Sequence, residues 1–204
     1  MSYFYKFCVF LLFLAAAYTL FGLGVYKWMH HSVKNPKAEF LVSGNLDGDL
    51  TLIEFMNHGC GYCKDIYPVI SELKEVRKDL SFVVYPILLN NEDMDKPTRL
   101  SIAAGLQGKF EEMNQAFLEY PETEVPDDFV EETANLYGLN YEQLVMDARG
   151  EKVEEILEDN FGAIEGANIY SVPSFMFKNK IYVVTENNLP DLKQMLEFVS
   201  PENN

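Results

Sequence analysis

None of the 32 acidic residues of this 204-residue chain falls within residues 1–38, which hold four of its 16 basic ones. The polypeptide is therefore two compositional pieces. Basic charge is short in the second: from Glu39 onward 12 basic residues face 32 acidic ones, a balance of −20 that repels phosphate backbones and anionic lipid surfaces. Nucleic-acid binding is excluded on that ground. Internal repeats and low-complexity tracts are also lacking, and with 48% apolar residues the chain has enough to bury a sizeable core, which excludes a disordered polypeptide.

Charge is absent altogether from Phe7 to Tyr26. At 1.5 Å rise per residue these twenty positions span roughly 30 Å, the thickness of a bilayer core. The only small-residue cluster, Ala15 to Ala17, lies inside the run, with Leu20, Phe21, Leu23 and Val25 still to come. That order suits an uncleaved membrane anchor better than a cleaved signal, whose apolar stretch is shorter and ends at the small residues. Residues 1–29 are read as this anchor or signal segment and 30–38 as a linker, and Cys8 is a spectator within the run. The lysine balance, Lys6 against Lys27, Lys34 and Lys37, slightly favours a cytoplasmic body. The redox chemistry argued below favours the opposite side.

Thr51 to Met56 and Ser81 to Ile87 are short β-rich runs. Between them Ile66, Val69, Ile70, Leu73 and Val76 recur at three and four residues, which predicts an amphipathic helix kinked at Pro68. The three make a βαβ unit. Residues 92–165 hold 20 acidic and five basic residues and read as a helical insertion. Pro173 to Lys178 and Ile181 to Val184 resemble a hairpin, and Leu189 to Val199 closes the chain as a helix. The segment Ser43 to Asp49 is turn-rich and reads as a connection.

The two remaining cysteines form Cys60-Gly61-Tyr62-Cys63. Such a pair can bind zinc, exchange disulfides or be two redox-inert core cysteines. Zinc would need two more ligands, and only His58 lies near, with His30 and His31 in the linker. Redox chemistry fits the position, because the pair follows a strand directly and opens the helix. Cys60 there faces unsatisfied amide N–H groups and the positive end of the helix dipole, which stabilise a thiolate. Cys60 is thus the candidate nucleophile, and Cys63, one turn further in, the resolving thiol. Glu54 is an acid in an otherwise apolar strand, six residues before Cys60. Buried beneath the pair it would have a raised pKa and could accept the Cys63 proton; on an alternating strand it would face water.

The strand LIEFM, the C-G-Y-C at a helix start, Pro68 and the late segment Ser171-Val172-Pro173-Ser174-Phe175 together resemble the DsbA-like thiol:disulfide oxidoreductases of the thioredoxin superfamily. The resemblance covers roughly residues 39–199 and implies an α/β thioredoxin fold, residues 39–91 and 166–199, interrupted by the helical domain 92–165. It implies a cis Val172–Pro173 bond beside the cysteines, with the Val172 backbone free to pair with an extended substrate. It implies no metal and no dissociable cofactor, the Cys60–Cys63 disulfide itself being the redox group. Cysteine-containing client proteins and a membrane partner that resets the pair are the implied partners. The resemblance also places the body outside a bacterial cytoplasmic membrane, in the periplasm, where disulfides persist.

The dipeptide departs from the strongest oxidants of that family, which carry Pro and His between the cysteines. Gly61 and Tyr62 supply neither, so His58 and Lys64 are the remaining sources of positive charge near Cys60, and Tyr62 reads as a contact surface. The expected activity is formation or exchange of disulfides in extracytoplasmic proteins. The alternatives are a reductase or isomerase, including one serving cytochrome maturation, and a non-catalytic peptide-binding module on the same fold.

Overall fold

Three hydrophobic clusters organise the molecule, and each has a sequence pattern behind it. A computed structural model describes residues 11, 12, 14, 16–21, 35–46, 50–178 and 180–200. The central sheet has five strands: β1 (Val42–Gly44), β2 (Thr51–Met56), β3 (Ser81–Pro86), β4 (Ser174–Phe177) and β5 (Lys180–Val183), in the order β1-β3-β2-β4-β5. β2 and β3 pair in parallel, with Glu54 opposite Val84, and every other pairing is antiparallel. A parallel pair needs a crossover, and helix α1 (Gly61–Val76) provides it, running on through Pro68.

The period-2 alternation of β2 splits the core. Leu52 packs with Ile66, Ile70 and Leu73 of α1 and with Met195 of the last helix, α7 (Leu192–Phe198). Ile53 and Phe55 point to the other face, where Ala163 and Ile164 of α6 (Glu151–Gly166) cover them. Phe55 stacks on Tyr85 there at 5.3 Å between ring centres. Between β3 and β4 the chain forms α2 (Glu92–Leu106), α3 (Phe110–Glu119), α4 (Asp127–Leu136), α5 (Tyr141–Asp147) and then α6. Their own core continues without a break onto Met56, Cys60 and Cys63. The cysteine pair thus sits on the seam between the sheet and these helices.

Several elements differ from the sequence reading for identifiable reasons. β1 takes in the first two residues of the segment read as a connection: three residues are too few for alternation to show, yet they complete the antiparallel edge of β3. Gly44 ends it at φ +83°, where a Cβ would stand 2.5 Å from the Leu80 carbonyl oxygen. Val76, counted on the buried face of α1, is exposed as the last residue of the helix. The last helix starts at Leu192 instead of Leu189, since Asp191 and Gln194 form a capping box immediately after Pro190.

The apolar run 7–26 lies mostly outside the described residues, and Cys8 entirely so. Leu11, Leu12, Leu14 and residues 16–21 are helical and exposed. Among the described residues no helix is long and apolar enough to cross a membrane, so the expected anchor finds no support in the structure.

Candidate active site

β2 ends at Met56, and the chain turns through Asn57, His58 and Gly59 to Cys60, which takes an extended conformation as the N-cap of α1. Asn57 builds this turn. Its side-chain oxygen accepts the Gly59 N–H at 2.8 Å, and its carbonyl accepts the Cys60 N–H at 3.1 Å. A Cβ on Gly59 would lie 2.5 Å from Met94 Cα, so only glycine lets α2 approach this closely.

The two thiols differ sharply. Cys60 keeps 8% of its surface in contact with solvent and Cys63 keeps none. The Cys63 thiol donates to the Cys60 sulfur, and that outweighs burial; the backbone N–H groups of Cys63 and Tyr62 add to it, while Asp65 opposes it. The Cys60 pKa falls to about 6. Burial pushes Cys63 the other way, well above its ordinary value, and its hydrogen bond to Cys60 reinforces the shift. At neutral pH the pair therefore holds one thiolate and one thiol.

Val172 and Pro173 meet this pair. Their peptide bond is cis, and the Val172 carbonyl oxygen lies 3.7 Å from Cys60 Sγ, from which it accepts while Cys60 is protonated. Among the described residues the Val172 N–H has no acceptor. Gly61 and Tyr62 are exposed at the first turn of α1, Tyr62 with 41% of its surface free.

Glu54 shares the α1 face of β2 with Leu52 and Met56. Desolvation raises its pKa to about 7, partly opposed by Lys74, and its charge in turn raises that of Cys63. Because the folded pKa exceeds the ordinary 4.5, the carboxyl costs nothing below pH 4.5, and stability is lost as pH rises through 7. Glu54→Gln should therefore unfold at the wild-type denaturant midpoint at pH 4 but be more stable by about 3 kcal/mol at pH 8. Parallel midpoints across that range would place Glu54 in water instead.

His58 requires a correction. It was expected to lend positive charge to Cys60, but it is fully buried and desolvation lowers its pKa to about 3. Its Nε2 sits 2.9 Å from Asn114 Oδ1 on α3, and its Nδ1 3.1 Å from Thr98 Oγ1 on α2. Asn114 Oδ1 can only accept, so Nε2 carries the proton of the neutral ring and Nδ1 accepts from the Thr98 hydroxyl, whose oxygen also accepts the His58 backbone N–H. Lys64 is turned away as well. Its Nζ donates to the carbonyls of Phe117, Tyr120 and Glu122, satisfying the C-terminal end of α3. The thiolate of Cys60 is thus held by local N–H and S–H donors and by no cationic side chain of this pair.

Asn57, Asp95, Thr98 and Asn114 were not singled out from sequence. Asn57 could have been, since Asn two residues before Gly ahead of a helix is an Asx-turn pattern. The others lie 38 to 56 residues away, and nothing local announces their contacts. Among the described residues no group of three or more His, Cys, Asp or Glu side chains is placed to hold a metal ion.

A thioredoxin-like sheet with helices inserted after β3, a C-x-x-C at the N-cap of the crossover helix and a cis-proline loop against it define the class of thiol-disulfide oxidoreductases built on this fold. The DSBA-like thioredoxin domain family matches residues 51–197, and the chain belongs to it. Similar solved structures include a thioredoxin-like oxidoreductase from Silicibacter pomeroyi, 23% identical, with a TM-score of 0.71 over 82% of this chain and 92% of that one. The thiol-disulfide exchange protein α-DsbA2 of Wolbachia pipientis is 14% identical, with a TM-score of 0.73 over 86% and 92%. A periplasmic thioredoxin-like protein from Salmonella enterica serovar Typhimurium is 18% identical, with a TM-score of 0.68 over 84% and 93%. At these identities the likeness establishes the fold. No curated protein matches the chain.

Proposed function

We propose that the protein forms or exchanges disulfide bonds in extracytoplasmic proteins through Cys60 and Cys63. The observation that carries this reading is the asymmetry of the pair: a solvent-touching Cys60 with its pKa near 6, against a fully buried Cys63 held protonated. In the oxidising direction a client thiolate attacks Cys60 Sγ of the disulfide. Cys63 leaves as a thiolate and takes a proton, for which Glu54, half-protonated near pH 7, is the donor. A second client thiolate then displaces Cys60, and the client carries the new disulfide. The reverse sequence runs with the same groups in opposite roles. Val172 would hold the client strand, its free N–H offering the pairing that strand addition needs.

A periplasmic body is proposed from the redox chemistry and from the periplasmic Salmonella protein of the same fold. A tether through residues 7–26 is proposed from the apolar sequence alone. Resetting by a membrane redox partner, and the absence of any cofactor beyond the disulfide itself, belong to the same proposal.

Insulin reduction by dithiothreitol is the direct test. The protein should bring forward the onset of turbidity, and Cys60→Ala should return it to the buffer trace. A wild-type trace at the buffer level would leave a peptide-binding module as the reading.

A further inference from the structure

Asn57 touches both cysteines through its backbone. Its carbonyl takes the Cys60 N–H, and its own N–H donates to Cys63 Sγ at 3.5 Å. The orientation of these two successive peptide groups, on either side of the Asn57 Cα, is fixed by a side chain with no freedom left. The amide nitrogen donates to the Ile87 carbonyl at 2.8 Å and to Asp95 Oδ1 at 2.9 Å, and the amide oxygen is taken by Gly59. Asn57 is fully buried. Asp95, 6% exposed at the start of α2, is fixed in turn: Oδ1 also accepts the Leu89 N–H at 2.7 Å, and Oδ2 accepts the Asn91 N–H at 3.0 Å. A continuous chain of hydrogen bonds thus runs from the inserted helices to the sulfur of the buried thiol.

We propose that Asn57, anchored by Asp95, is a positioning residue that aims its peptide N–H at Cys63 and thereby sets how readily Cys63 acts as a thiolate. The inference rests on the exchange reading above and adds to it that α2 governs one half of the reaction. When a mixed disulfide resolves, the Cys63 thiol yields its proton to a base and its thiolate attacks Cys60 Sγ. The bond from Cys60 to the outer sulfur breaks, the Cys60–Cys63 bond forms, and the outer sulfur departs as a thiolate. Charge passes through Cys63 Sγ in this step, where an N–H donor favours the anion. The first attack, by Cys60 on an outer disulfide, places no charge on Cys63. Loosening Asn57 should therefore slow the second step and spare the first.

The test uses the reduced protein mixed with glutathione disulfide, quenched with acid at intervals, the mixed and internal disulfides being separated by mass. Asp95→Ala should slow resolution about tenfold and leave attack by Cys60 within about twofold, with the pH midpoint of resolution moved up by about one unit. Asp95→Asn, which retains an acceptor for Asn57, should recover most of the rate. If Asp95→Ala does not fold, Asn57→Ser carries the same expectation, since a serine hydroxyl can still accept from Gly59 but is too short to bond Ile87 and Asp95 as well. Resolution at the wild-type rate and pH midpoint in a folded variant overturns the proposal, as does equal slowing of both steps. A wild-type protein that never reacts with glutathione disulfide would instead overturn the exchange reading itself.

Discussion

Replacing Cys63 with Ala should turn the protein into a covalent trap: mixed disulfides between Cys60 and client thiols should accumulate, because the internal thiol that releases them is gone. Cys60→Ala should trap almost nothing and lose at least about a hundredfold in exchange rate. The magnitude follows from ionisation. With Cys60 removed, its hydrogen bond and charge no longer act on Cys63, but burial, the largest cause of the raised Cys63 pKa, remains and keeps it above its ordinary 9.0, so under about 1% of it is thiolate at pH 7. Non-reducing gels of extracts from cells expressing each variant read the outcome. Equal trapping by both variants would reverse the roles of the two cysteines.

The second large effect concerns the turn that carries them. Gly59→Ala should cost about 2–3 kcal/mol of stability, because the added Cβ would meet Met94 Cα at 2.5 Å and Met94 O at 2.9 Å, which are backbone atoms that move only with α2. Gly61→Ala is the control. Its Cβ would find nothing within 4 Å, and the change should alter stability by less than about 0.5 kcal/mol. Urea unfolding of the two variants decides: coincident midpoints would mean that α2 does not press on the cysteine turn.

The parts of the site legible in sequence are those written in local pattern. Thr51 to Met56 is a short β-rich run and is a strand, the C-x-x-C falls where that strand hands over to a helix, and Glu54 interrupts the apolar run from a position that the fold leaves poorly solvated. Val172–Pro173 was placed by resemblance, and the structure brings it to Cys60. What sequence withheld depends on partners distant along the chain. His58 read as a nearby positive charge because proximity in sequence was all that could be seen; burial against Thr98 and Asn114 of two inserted helices desolvates and so neutralises it, although the Asn114 hydrogen bond by itself favours the charged ring. Lys64 is adjacent to Cys63 in sequence, yet three carbonyls around the end of α3 draw its ammonium away. The inserted helices were foreseeable as helices from their apolar spacing, but their role in holding the turn before Cys60 rests on single contacts that no periodicity encodes.

The equilibrium of the Cys60–Cys63 pair across a glutathione series tests the central claim most directly. Thiolate stabilisation favours the reduced form and so makes the disulfide an oxidant. A Cys60 pKa near 6 falls between about 7 for thioredoxin and about 3.5 for the strongly oxidising DsbA, so the potential should fall between about −270 and about −120 mV. A pair that closes reversibly within that window is the predicted result. Cysteines that form no internal disulfide at any glutathione ratio, or a disulfide more reducing than about −270 mV, would contradict the account.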